Sequence, residues 1–172
     1  IQSFTGKELE IELFVEKLNV HILCITEHWL TGTQVAVNID NFILSSAFFR
    51  RTAIHGGSLI FVRNNIICKE RKDIVGLSVE RIAELSCVEL ERFIIVSVYR
   101  PPSGDFSDFE NVMEDVLKRL CLSTKKVIVC GDFNVDILLE NATTARLLNL
   151  FKCFNLCHTF SEPTRVTATS AS

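Results

Sequence analysis

The stretch Lys125-Lys126-Val127-Ile128-Val129-Cys130-Gly131-Asp132-Phe133-Asn134 runs a short apolar strand into a glycine, then presents an acid and an amide two residues apart. Strand side chains alternate with period two, so Asp132 and Asn134 share one side of the strand's end, while Phe133 points the other way into packing. An acid beside an amide at that place can hold a water or a phosphate oxygen. Asp and Asn also favour turns, so the string alone is equally that of an ordinary strand exit.

Three further residues could join this chemistry. Glu27 closes the apolar run Ile22-Leu23-Cys24-Ile25-Thr26. One carboxylate, completed by waters and substrate phosphate, is a usual way of holding magnesium. Tyr99, the only tyrosine, ends a second apolar run and is followed by Arg100 and Pro101. A tyrosine there can hydrogen-bond a phosphate or simply keep its hydroxyl in water. Arg100 reads as an anion contact or a solvated cation. None of the four histidines has an obvious acid or nucleophile partner in sequence, so a serine or cysteine triad is poorly supported. His28 adjoins Glu27 and reads as a packing or surface residue.

These side chains need a scaffold. The 172 residues suffice for one domain with a real core, and 48% apolar with 23% charged residues is ordinary for a globular protein. A net charge of −3 provides no overall basic field. The arginines at 50, 51, 63 and 100, with Lys69, Arg71 and Lys72, suggest a backbone-binding rim or scattered solvated charges. Seven cysteines, an odd number without a C-x-x-C pair, lie mostly in apolar runs, as expected of reduced core thiols in an intracellular protein. A zinc site at Cys153, Cys157 and His158 would need a further ligand that is not apparent. No membrane span or signal peptide is visible.

Periodicity predicts a helix over 7–18 with Leu9, Ile11, Leu13, Phe14 and Leu18 as its apolar set, and strands over 20–26 and 42–44. Strands over 57–63 and 65–68 are expected to join near Asn64-Asn65, and 82–90 with 92–100 to form a hairpin. Ser107-Asp108-Phe109-Glu110 reads as a capping box opening a helix to about Leu120. A strand over 126–130, a helix over 143–154 with Leu147, Leu148, Leu150, Phe151 and Phe154 inward, and a last strand over 156–160 follow. Helix–strand alternation mixed with strand pairs favours a layered α/β fold.

Taken together, Thr26-Glu27, His55-Gly56-Gly57 before a strand, Val98-Tyr99-Arg100-Pro101-Pro102 and Gly131-Asp132-Phe133-Asn134 resemble the endonuclease/exonuclease/phosphatase family in spacing and order. The segment Glu162-Pro163-Thr164-Arg165-Val166-Thr167 is similar to the non-LTR retrotransposon branch, whose endonuclease domain precedes a reverse transcriptase. The resemblance implies a four-layer α/β sandwich with two mixed β-sheets flanked by helices. It implies phosphodiester cleavage with magnesium, or manganese as a substitute, on a DNA target in the nucleus. It assigns metal holding to Glu27, phosphate contact to Tyr99, the attacking water to Asp132, and support of that aspartate or the phosphate to Asn134.

The family also places an asparagine on a strand before the first helix and an Asp-His pair on a closing strand. Ile1-Gln2-Ser3-Phe4 and Thr169-Ser170-Ala171-Ser172 look like the stretches bordering those features. The expectation is therefore a single domain over 1–172, truncated at both ends and of little or no activity by itself. A phosphatase or RNA-processing member of the family, or an inert domain co-opted for protein interaction, stands as the alternative.

Overall fold

The computed structural model describes residues 2–32, 37–52, 55–160 and 162. The strands are β1 (Ile22–Thr26), β2 (Phe42–Phe48), β3 (Ser58–Arg63), β4 (Lys69–Glu70), β5 (Glu84–Glu89), β6 (Phe93–Tyr99) and β7 (Lys126–Asp132). The helices are α1 (Glu8–Lys17), α2 (Lys72–Val75), α3 (Phe106–Leu120) and α4 (Ala142–Cys153). Two sheets form, in the orders β1-β3-β2 and β4-β5-β6-β7. The first is antiparallel throughout, and mixing is confined to the second, where β6 and β7 pair in parallel.

Alternation builds the layers. In β3, Leu59 and Phe61 turn outward to meet Phe4, Ile11, Val15 and Ile25, so α1 covers that face. Ile60 and Val62 turn inward and meet Val88 and Ile95 of the other sheet. On the far side, Leu85, Cys87, Ile94, Val96 and Val98 pack against Phe109, Met113, Val116, Leu117 and Leu120 of α3 and Leu147 of α4. The result is helix, sheet, sheet, helix. Between the sheets the apolar slab turns polar toward one end. There the Ser58 hydroxyl hydrogen-bonds the hydroxyls of Ser86 at 2.8 Å and Ser97 at 3.0 Å, all three fully buried. Polar groups enclosed this deeply persist only when bonded to one another.

Several expectations are corrected. In α1 only Ile11 and Val15, an i,i+4 pair, are buried; Leu9, Leu13, Phe14 and Leu18 are more than half exposed. One contact stripe on a sheet accommodates one face of a ten-residue helix, not residues spread round it. Residues 65–68 make no strand beside β3: the chain turns there and crosses to the other sheet, where Lys69 pairs with Glu89. The α3 cap is Asp105, not Ser107. Its carboxylate accepts from the backbone N–H groups of Ser107 and Asp108, starting the helix two residues early. Leu148 takes no place in the α4 core cluster. Residues 156–160 form no strand, and Cys157 and His158 are exposed. Cys121 and Cys153 are also exposed, so the core-thiol reading fits Cys87, Cys24, Cys68 and Cys130 but not those three. Ile1, 163–167 and 169–172 lie outside the described residues. No described helix is long and apolar enough to cross a membrane.

Candidate active site

β1, β6 and β7 end side by side, which brings three of the four predicted residues to one place. The Tyr99 hydroxyl donates to Glu27 Oε1 at 2.7 Å across 72 residues of sequence. Tyr99 and Asp132 are ladder partners in the parallel β6–β7 pair. The Tyr99 phenol is nearly buried, and its pKa is raised, first by burial and then by donation to Glu27, with Asp132 adding to the effect. Tyr99 is therefore a neutral hydrogen-bond donor at ordinary pH.

Asp132 and Asn134 are both accessible, but the turn separates their tasks. Asp132 Oδ1 accepts from the Asn134 backbone N–H at 3.0 Å, and Asn134 Nδ2 donates to the Arg100 carbonyl at 2.7 Å. Asn134 has a φ of 48°, a left-handed conformation that asparagine tolerates better than most residues. Phe133 packs edge-on against Phe109 and Phe151, as alternation requires, anchoring the turn in the helix-side core. Gly131 has a φ of 130°, and a Cβ there would run into the backbone of Val98 on the neighbouring strand. Only glycine lets β7 approach β6 so closely just before Asp132.

Glu27 is held by an unusual backbone. Its φ is 56°, and that of Trp29 is 61°. Such values cost a non-glycine residue on the order of 1 kcal/mol or more. Paired bonds hold them: Glu27 N–H donates to the Gly57 carbonyl at 2.9 Å and Trp29 N–H to the Gly56 carbonyl at 3.0 Å. Between them His28 is fully buried. Its Nδ1 accepts from the Leu30 N–H at 2.9 Å, which leaves Nε2–H to donate to the Phe48 carbonyl at 3.0 Å. Burial pushes its pKa down, against the Phe48 bond, so this tautomer is neutral. His28 is thus a structural pin that faces away from Glu27's chemistry. His55 stacks on Trp29 at 4.2 Å.

Arg100 is neither an anion contact nor a solvated cation. It is 7% exposed, and its guanidinium donates to the carbonyls of Gly104 at 2.7 Å and of Phe133 and Asn134 at 3.3 Å. It also lies over the rings of Phe106 and Phe109. Burial pushes its pKa down. Three other members of the expected basic rim are likewise engaged within the fold, while Arg51, Lys69 and Lys72 stay exposed. Arg50 pairs with buried Glu84, Arg63 donates to the Val20 carbonyl, and Arg71 pairs with Asp73 and Glu89.

Sequence reasoning passed over Glu84 and took Arg50 only for the basic rim, although an acid in the apolar run Ile82-Ala83-Glu84-Leu85 was a signal. Among the described residues no three His, Cys, Asp or Glu side chains gather as a metal cluster. The donors present are the carboxylates of Glu27 and Asp132. Hard oxygen donors, one or two with water completing the shell, suit magnesium or manganese. Two grooves, of about 590 and 350 Å³, lie elsewhere, and neither is lined by Glu27, Tyr99 or Asp132.

The family model described as "Endonuclease/Exonuclease/phosphatase family" matches residues 2–171. No curated protein sequence matches the chain. Among solved structures it is similar to the endonuclease domain of TRAS1, a telomere-specific non-LTR retrotransposon, with a TM-score of 0.67 at 15% identity over 95% of this chain and 74% of that one. It is also similar to the AP endonuclease LMAP from Leishmania major (0.62, 14%, 90% and 65%) and the Xenopus laevis APE2 catalytic domain (0.59, 15%, 88% and 65%). At these identities the likeness is one of fold, and the chain spans about two thirds to three quarters of each relative.

Proposed function

The chain belongs to the endonuclease/exonuclease/phosphatase family, and from that premise we propose that it is the core of a divalent-metal phosphodiesterase that nicks DNA for a mobile genetic element in the nucleus, in a parent chain that also carries a reverse transcriptase. The observation that carries the reaction is the Tyr99–Glu27 hydrogen bond with Asp132 beside Tyr99 in the ladder. The likeness to the TRAS1 domain supports the retroelement setting.

Glu27 would hold magnesium or manganese, with Tyr99 orienting the carboxylate through Oε1. When bound, such an ion supplies charge neutralisation at the phosphate. The single Tyr99 O–H proton, accepted by Glu27 in this structure, can turn instead to a phosphate oxygen. Asp132 can align a water whose attack on phosphorus breaks the P–O bond to the leaving sugar oxygen, the water's proton going to Asp132 and the leaving oxygen drawing one from solvent. Asn134 keeps the turn closed on Arg100, so Asp132 meets the water from a fixed backbone. Both ring nitrogens of His28 are engaged, with Leu30 and Phe48, so that imidazole is not free to assist. Losing one transition-state donor costs roughly 100- to 1000-fold. Among the described residues no imidazole is hydrogen-bonded to Glu27, Tyr99 or Asp132, so we expect the chain to nick DNA barely or not at all.

Two measurements test the proposal. Manganese binding followed by electron paramagnetic resonance should be present in the chain and lost in Glu27→Gln; a chain that binds none refutes the metal role. Supercoiled plasmid with magnesium should stay essentially intact. Turnover that vanishes in Asp132→Ala would overturn the expected inactivity while upholding the reaction.

A further inference from the structure

We infer that Glu84 is the positioning residue of the Glu27–Tyr99 pair, acting through the Gly56–Gly57 turn and through Arg50. Glu84 is completely buried and lies opposite Tyr99 in the β5–β6 ladder. A carboxylate taken fully out of water is costly unless its lone pairs are answered. Here they are. Oε1 accepts from Arg50 Nε at 2.6 Å and the Arg81 N–H at 3.0 Å, and Oε2 accepts from the Gly57 N–H at 2.5 Å.

The last bond links this charge to the site. The turn that Glu84 grips by the Gly57 N–H is the turn whose two carbonyls hold the backbone N–H groups of Glu27 and Trp29. Gly57 has a φ of 92°, and a Cβ on it would strike the His28 ring. No ordinary side chain could therefore replace this grip at position 57. Arg50, fixed on Oε1, lies against Gly56 and 6.0 Å over the Tyr99 ring. One buried carboxylate thus reaches both partners of the 2.7 Å bond, Glu27 through the turn and Tyr99 through Arg50. The left-handed conformations of Glu27 and Trp29 persist because their surroundings over-determine them. Glu84 is the anchor of those surroundings.

The inference rests on the proposed function only in taking Glu27 as the metal-holding carboxylate. Its test reads geometry first. Tyr99 is the sole tyrosine, so tyrosine labelled with carbon-13 at the ζ position gives one resonance, and Glu27→Gln marks the shift of a lost carboxylate acceptor. Glu84→Asp keeps the charge but withdraws its oxygens, whereas Glu84→Gln keeps the reach and removes the charge. Positioning predicts that Glu84→Asp moves the Tyr99 resonance at least half way to its Glu27→Gln value. It also predicts manganese binding weakened roughly 10-fold, as for other residues that orient a metal ligand. A Tyr99 resonance unmoved in Glu84→Asp overturns the inference, whether or not Glu84→Gln moves it, because a shift with charge alone is a field effect. If Glu84→Asp fails to fold, judged by the single Trp29 fluorescence, Arg50→Lys is read instead: it keeps the charge and loses the Nε–H, and an unmoved resonance again overturns the inference. A shifted resonance in a protein that binds no manganese upholds positioning and refutes the metal role; manganese binding with an unshifted resonance does the reverse.

Discussion

Replacing Arg100 by lysine should cost stability, not nucleic-acid affinity. The guanidinium reaches three carbonyls at once: Gly104 at 2.7 Å, and Phe133 and Asn134 at 3.3 Å each. Lysine keeps the charge, but its ammonium is a point on a flexible stem and cannot span the same fork. Retaining the short bond and losing the two long ones costs about 0.5–1 kcal/mol apiece. Poorer stacking over Phe106 and Phe109 adds about 0.5 kcal/mol, for a total near 2 kcal/mol. For 172 residues the unfolding entropy is roughly 0.36 kcal/mol/K. The melting temperature should therefore fall by about 5–6 °C, as read by calorimetry. The salt dependence of DNA binding should stay as it was, because a buried clamp releases no phosphate counterions. A melting temperature within about 1 °C of the parent, with a shallower salt slope, would refute the reasoning and return Arg100 to the DNA-contacting surface.

Other outcomes follow from the same geometry. His28 has a folded pKa below its unfolded value, so the unfolded state binds the extra proton and stability is lost as pH falls below about 6.5. Urea midpoints should drop between about pH 7 and pH 5, before most carboxylates titrate, and His28→Gln should flatten that dependence. Gly131→Ala places a Cβ against the Val98 backbone and should cost about 3 kcal/mol or more, or abolish folding, as followed by circular dichroism; a fully stable variant would contradict the close β6–β7 approach. Under native conditions a thiol reagent should label Cys121, Cys153 and Cys157 quickly and Cys87 only on unfolding, with mass spectrometry assigning the sites. Rapid native labelling of Cys87 would contradict its place in the core.

Much of the site was legible because its signals are local. Alternation in Ile94 to Tyr99 and Val127 to Asp132 says which side chains leave each strand together, and Phe133 between Asp132 and Asn134 had to turn into packing. The four motifs also occur in a recognisable order. What escaped was whatever depends on a distant partner. Arg100 looks the same in sequence whether it meets a phosphate or three carbonyls. Ser107 made a plausible cap until Asp105 was seen to reach the same helix end. Residues 65–68 had strand composition, yet β4 found its partner in the other sheet.

The sequence by itself determined the alternation of strands and helices, the apolar face of α3, and the placing of Glu27, Tyr99 and Asp132 at strand ends. These follow from periods of two and 3.6 residues, which neighbours in the chain set on their own. Only the tertiary structure decided that Tyr99 would donate to a carboxylate 72 residues away, that Glu84 would be fully buried, and that Arg50 would answer it across 34 residues. Whether a charged side chain goes in or out depends on what the other sheet presents to it. Two sheets packed face to face bring together groups that no local period relates.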